Sequence, residues 1–147
     1  MEIQSLKVFV TEDEANDLLA RVLPDAEPLE ELRVRLTPEG VVVQGSYPAM
    51  MFKTSFETLW EVTAAGPELV ARLVNVKIAG LPATLFKGAL LRMIRDAVAN
   101  QPGVRVQEEA VRVHVEELAR HQGLPLRVRF SAVRCSIASL VLEAGNG

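Results

Sequence analysis

The sequence predicts an α+β fold: a strongly curved antiparallel β-sheet wrapped around one long central α-helix, with a short helix near the N-terminus. Three observations carry this expectation. Residues 82–100 place Leu85, Phe86, Ala89, Leu90, Met93, Ile94, Ala97 and Val98 at the spacing of one helix face. Most of the remaining chain alternates apolar and polar residues with the period of two of a strand. Turn residues divide those segments into consecutive pairs, which implies hairpins and antiparallel pairing. No repeat or low-complexity tract splits the 147 residues, so they read as a single domain over 1–147.

Taken in order, residues 3–10 carry Ile3, Leu6, Val8 and Val10 and read as a short strand. Thr11 and Glu14 form the T-x-x-E pattern of a capping box, which opens a helix over 12–23. Its stripe is Ala15, Leu18, Leu19, Val22 and Leu23, and Pro24–Asp25 stops it. Leu32, Val34 and Leu36 alternate with Arg33 and Arg35. After the turn Thr37-Pro38-Glu39-Gly40 the chain returns over 41–47, so residues 32–47 make a hairpin. Residues 50–62 form the next strand, with Phe52, Phe56, Thr58, Trp60 and Val62 on one face. Residues 68–79 pair back, with Val70, Val74, Val76 and Ile78 in phase and a bulge expected in so long a strand.

Pro82 suits the first turn of the long helix, and Pro102-Gly103 ends it. Val104 and Val106, then Val111, Val113 and Val115, make a hairpin with its tip at Gln107-Glu108-Glu109. Residues 115–122 suit a short helix closed by Gly123. Strand signals follow over 124–130 and 133–142. The apolar phase changes between Ile137 and Leu140, which suggests a bulge near Ser136–Ser139, and the tail from Glu143 is expected to fray.

Almost half the residues are hydrophobic and only 5% aromatic, so a core built from Leu, Val, Ala and Ile is expected. The net charge of −3 argues against a nucleic-acid partner. Charge is unevenly spread: residues 1–40 hold ten acidic against four basic side chains, and residues 41–147 hold nine against twelve. Arg120, Arg127, Arg129 and Arg134 face Glu143 alone near the end, which would suit peripheral contact with an anionic membrane, a solvated rim being the simpler account. Cys135 is the single cysteine, so no internal disulfide forms. With no signal peptide visible at the start and no run of membrane-spanning length, a cytoplasmic location is expected.

Chemistry-bearing motifs are sparse. His114 and His121 lie seven residues apart with Glu117 between them, a spacing that matches no metal motif. Cys135 sits in an apolar strand, where a buried structural thiol is the simpler reading than a nucleophile. Glu57 and Glu61 are too far apart along a strand to share a proton. No phosphate loop, nucleotide fingerprint, nucleophile elbow or CxxC is present. No catalytic residue, metal or cofactor is therefore expected, and the chain reads as non-enzymatic; a small enzyme using a histidine with a glutamate is the least supported alternative. The stripe of Met50, Met51, Phe52, Phe56 and Trp60, with Met93 on the helix, suits either a filled core or an apolar-ligand cavity.

From Leu32 to Leu142 the order of features resembles the bacterial phospholipid-binding LmeA-like proteins of the TULIP (tubular lipid-binding) superfamily. The matching pieces are the hairpin carrying LTPEG, the strand ending VNVKIAGLP, the helix ATLFKGALLRMI, then PGVRV and the closing strand pair. The resemblance implies lipid held between the 82–100 helix and the sheet. It implies a lining of Phe52, Phe56, Trp60, Phe86, Leu90, Met93 and Ile94, and a lipid or apolar small molecule as partner. The alternative expectation is a structural or interaction module that forms a homo-oligomer through its apolar sheet face.

Overall fold

The computed structural model describes residues 5–23, 28–49, 51–121, 123 and 127–145. Along them run β1 (Ser5–Thr11), α1 (Glu12–Val22), β2 (Glu30–Thr37), β3 (Gly40–Ala49), β4 (Phe52–Ala65), β5 (Glu68–Ile78) and α2 (Ala83–Ala97). The chain continues with β6 (Val104–Gln107), β7 (Ala110–His114), α3 (Val115–His121), β8 (Arg129–Ser136) and β9 (Ser139–Gly145). The sequence expectations at Ile3, Pro24–Asp25, Met50, Leu124, Leu126 and the last two residues lie outside the described residues.

The local signals act as their chemistry requires. Thr11 Oγ1 accepts from the Glu14 N–H at 3.2 Å while the Glu14 carboxylate accepts from the Thr11 N–H at 3.1 Å, so the capping box holds the first turn of α1. Pro38–Glu39 turns β2 into β3, with Thr37 opposite Gly40. Gly40 has φ +144°, and a Cβ there would lie 2.4 Å from the Trp60 carbonyl oxygen, so only glycine fits.

Nine strands form two antiparallel sheets among the described residues. The larger has the order β2-β3-β4-β5-β7-β6, the smaller β1-β9-β8. The fold class is therefore β-rich with three short helices, and the expected sheet wrapped around one long central helix is not what forms. α2 covers 15 residues, a length of about 22 Å. It buries Phe86, Leu90 and Leu91 against one region of the larger sheet, over β5 and β6. That is too narrow to cover six strands. The rest of the apolar face is met by α1 and by the smaller sheet, made when the first strand pairs with the last from Ser5↔Gly145 to Thr11↔Ser139.

Cross-strand register explains why one face of the larger sheet is apolar. Leu36, Val41, Trp60 and Leu73 stand opposite one another across four strands, as do Val34, Val43, Thr58 and Val76. Between Leu59↔Asn75 and Trp60↔Leu73 the register slips, so Val74 is the extra residue of a bulge and is 51% exposed. The expected phase of Val70, Val74, Val76 and Ile78 is corrected accordingly: Leu69, Ala71 and Leu73 share the inner face with Val76 and Ile78. On the opposite face a polar row runs Arg33, Gln44, Glu57, Lys77.

Two more expectations change. The phase shift near Ser136–Ser139 is a hairpin turn at Ile137–Ala138, with Cys135 opposite Leu140, because a two-residue turn reverses side-chain parity as a bulge does. The tail is paired through Gly145 rather than frayed. The small sheet is tied across one end of the large one by Phe130 N–H donating to Gly66 O at 2.7 Å and Ala138 N–H donating to Leu36 O at 3.0 Å. Among the described residues no helix is long and apolar enough to cross a membrane.

Gly40→Ala should cost about 2–3 kcal/mol of stability, because the side chain demands both a disfavoured φ and a shift of the Trp60 backbone. Chemical denaturation of the variant checks this; an unchanged midpoint would refute the register at the β2–β3 turn.

Candidate functional site: an apolar cleft

Between the two helices and the sheets lies a cleft of about 360 Å³. The inner face of the large sheet supplies its floor through Val34, Val43, Phe56, Thr58 and Trp60. α1 supplies Ala15, Leu18 and Leu19, α2 supplies Leu90 and Ile94, and Leu23 and Val98 join them from the residues that cap the two helices. Val10 of β1 and Leu140 and Leu142 of β9 close one side. The geometry follows from helix spacing: residues three and four apart on each helix point the same way, toward the inner face of the sheet.

Of the twenty-three side chains lining the cleft, only Thr58 and the indole of Trp60 carry a polar atom. Both are occupied. Thr58, 1% exposed, donates its hydroxyl to the Val43 carbonyl at 3.0 Å and accepts from Trp60 Nε1 at 2.8 Å. The wall thus presents hydrocarbon throughout, with its one hydroxyl turned into the sheet. The cleft is not sealed, since Leu18 in its wall is 53% exposed.

The residues expected to line a cavity separate into three groups. Phe56, Trp60, Leu90 and Ile94 line the cleft. Phe86 and Met93 belong to the packed core beside it, Phe86 touching Tyr47 and Phe56 with ring centroids 5.3 and 5.0 Å apart. Phe52 is 78% exposed near the tip of the β3–β4 hairpin. Sequence reasoning did not assign to the site the contributions of α1, β1 and β9. The α1 stripe was visible as a periodicity, but what it faces depends on the pairing of distant strands.

Four of the remaining chemistry-bearing groups have structural partners. His114 Nδ1 accepts from the Glu117 N–H at 3.2 Å and so caps α3. Glu116 Oε1 accepts from the Val128 N–H at 2.7 Å. Glu57 accepts from Gln44 Nε2 at 2.9 Å and from Arg35 Nη2 at 3.3 Å. Glu68 pairs with Arg105 at 3.2 Å and Arg112 at 3.5 Å. No three His, Cys, Asp or Glu side chains converge as a metal site among the described residues. Burial pushes the Cys135 thiol above its ordinary value, a backbone hydrogen bond at Thr37 acting the other way.

Thr58→Val keeps the shape but strands Trp60 Nε1 without an acceptor; a loss of about 1–3 kcal/mol is expected, with a shift in tryptophan emission. The alkylation rate of Cys135 should reach half its plateau at a higher pH in the folded protein than in the denatured chain, because a raised thiol pKa delays the thiolate; an equal or lower midpoint contradicts its partial burial.

The chain matches no protein-family model, and none of the curated proteins matches it in sequence.

Proposed function

We propose that this protein is a non-enzymatic binder of an apolar ligand, a hydrocarbon chain or a hydrophobic small molecule of similar bulk, held in the cleft between α1, α2 and the inner sheet face. The observation that supports this reading is the composition of the cleft wall: apolar side chains throughout, around one hydroxyl whose donor and acceptor capacity is already used. Such a wall offers nothing to orient a polar substrate and no group to move a proton. Its volume of about 360 Å³ falls within the usual range of ligand sites. At the roughly 30 Å³ that a water molecule occupies in the liquid, the space equals about a dozen waters, the bulk of a hydrocarbon chain of about ten carbons.

Burying a chain of that length would stabilise the complex by on the order of 8 kcal/mol, at about 0.8 kcal/mol per methylene. The cost of immobilising it lowers the net figure. The lipid partner expected from sequence is kept here in this coarser form, and it rests on the cleft rather than on the resemblance to tubular lipid-binding proteins.

Trp60 is the only tryptophan and lines the cleft, so it reports occupancy directly. Titration with a fluorescent polyene fatty acid should quench its emission by energy transfer, saturating at about one equivalent. Ala71→Phe, which fills part of the cleft from β5, should weaken that binding by about tenfold or more. Trp60 emission that does not respond to the probe at any concentration below its micelle point would refute the proposal.

A further inference from the structure

We infer that α1 is a lid on the apolar cleft, latched to the free edge of β2 by Asn16 and Glu12, and that unlatching it opens the way in for the guest. The admission of a guest rests on the reading of the cleft given above; the opening of the lid does not.

The first observation is how α1 is attached. β2 is the outermost strand of its sheet, so the outward N–H and C=O of Val34 and the N–H of Leu36 have no strand partner, while Leu36 O is taken by Ala138 N–H at the β8–β9 turn. The Asn16 side-chain amide takes that place at Val34. Its Nδ2 donates to Val34 O at 3.0 Å and its Oδ1 accepts from Val34 N–H at 2.7 Å. Glu12 Oε1 accepts from Leu36 N–H at 2.9 Å. Three hydrogen bonds from two side chains one turn apart therefore fasten the helix to the sheet edge.

The second observation is how little else holds it. No described side chain of α1 is buried, whereas α2 buries Phe86, Leu90 and Leu91. The inward stripe of α1 faces the cleft itself, and Leu18 in that stripe is half exposed. A helix whose apolar face borders open space loses little packing when it moves away.

The third observation is that both ends of α1 are stabilised from within the helix itself. The Thr11–Glu14 capping box closes its first turn. Glu12, Asp13 and Glu14 lie at its N-terminus and Arg21 in its last turn, each matched to the helix dipole. Thr11 remains paired with Ser139 at the end of β1, so the helix has a fixed pivot. Latch, loose face and pivot together describe an element that swings as a unit.

Native-state hydrogen exchange, read residue by residue, tests the lid without any ligand. Val34 and Leu36 amides should exchange through a local opening, well before those of β4 and β5. Asn16→Ala should speed exchange at Val34 by about tenfold and leave β4 and β5 unchanged. In stopped-flow experiments with the polyene fatty acid, the same variant should raise association and dissociation rates together, with the dissociation constant moving less than about threefold. Should Asn16→Ala fail to fold, Glu12→Gln keeps the acceptor and removes its charge, and reads out at Leu36. Val34 and Leu36 exchanging only with the core amides would overturn the lid. So would uptake rates that do not change when Val34 exchange does. A wild type that takes up no probe but still opens locally at Val34 and Leu36 supports the lid and removes the proposed ligand.

Discussion

Two columns of side chains hold this molecule in its shape: Leu36, Val41, Trp60 and Leu73 in one, Val34, Val43, Thr58 and Val76 in the other. They put apolar bulk on a single face of four adjacent strands, and that face must be kept from water. The bulge at Val74 is what keeps both columns on the same side, since without the extra residue Val76 and Ile78 would turn to solvent. Every other element is placed by the need to cover this face. α2 takes the region near β5 and β6, α1 the β2 edge, and the β1-β9-β8 sheet one end.

The covering elements are held in different ways, and the difference has consequences. α2 is fixed by burial, with Phe86 wedged against Tyr47 and Phe56. The small sheet is fixed by backbone bonds at Gly66 and Leu36. α1 is fixed mainly by side-chain hydrogen bonds to an exposed strand edge, which also answers the danger that such an edge presents to other chains. Burial of this kind yields only to partial unfolding, whereas a few hydrogen bonds exchange with water at small net cost. The wall of the cleft is thus strong on one side and weak on the other.

What the cleft can do follows from what its wall lacks. A site for acid–base work needs groups that can take up or release a proton, and a site for a polar ligand needs unpaired donors or acceptors. The one hydroxyl at this wall is bonded twice, and Arg33, Arg35, Glu57 and Lys77 lie on the opposite face of the sheet, Glu57 paired with Arg35. The apolar face of the large sheet is the one that α1, α2 and the small sheet cover, while the other face carries the row from Arg33 to Lys77.

By itself the sequence determined the elements. The T-x-x-E cap, the stripe of α2, the Thr37–Gly40 turn and the alternation of β2 to β4 are written in neighbours two to four residues apart, and steric and hydrogen-bonding rules act on them directly. The resemblance, rather than the spacing, grouped Phe52, Phe56, Trp60, Phe86, Leu90, Met93 and Ile94, and of these Phe56, Trp60, Leu90 and Ile94 reach the cleft. Only the tertiary structure decided that β1 joins β9 across most of the chain, that β7 and not β6 lies beside β5, and that α1 faces the same space as α2. Pairings of that kind depend on which faces and edges remain uncovered once the local elements have formed, and the entropy of closing a long loop varies too slowly with its length to favour one distant partner over another. A cleft assembled from strands and helices so far apart in sequence has no local signature to read.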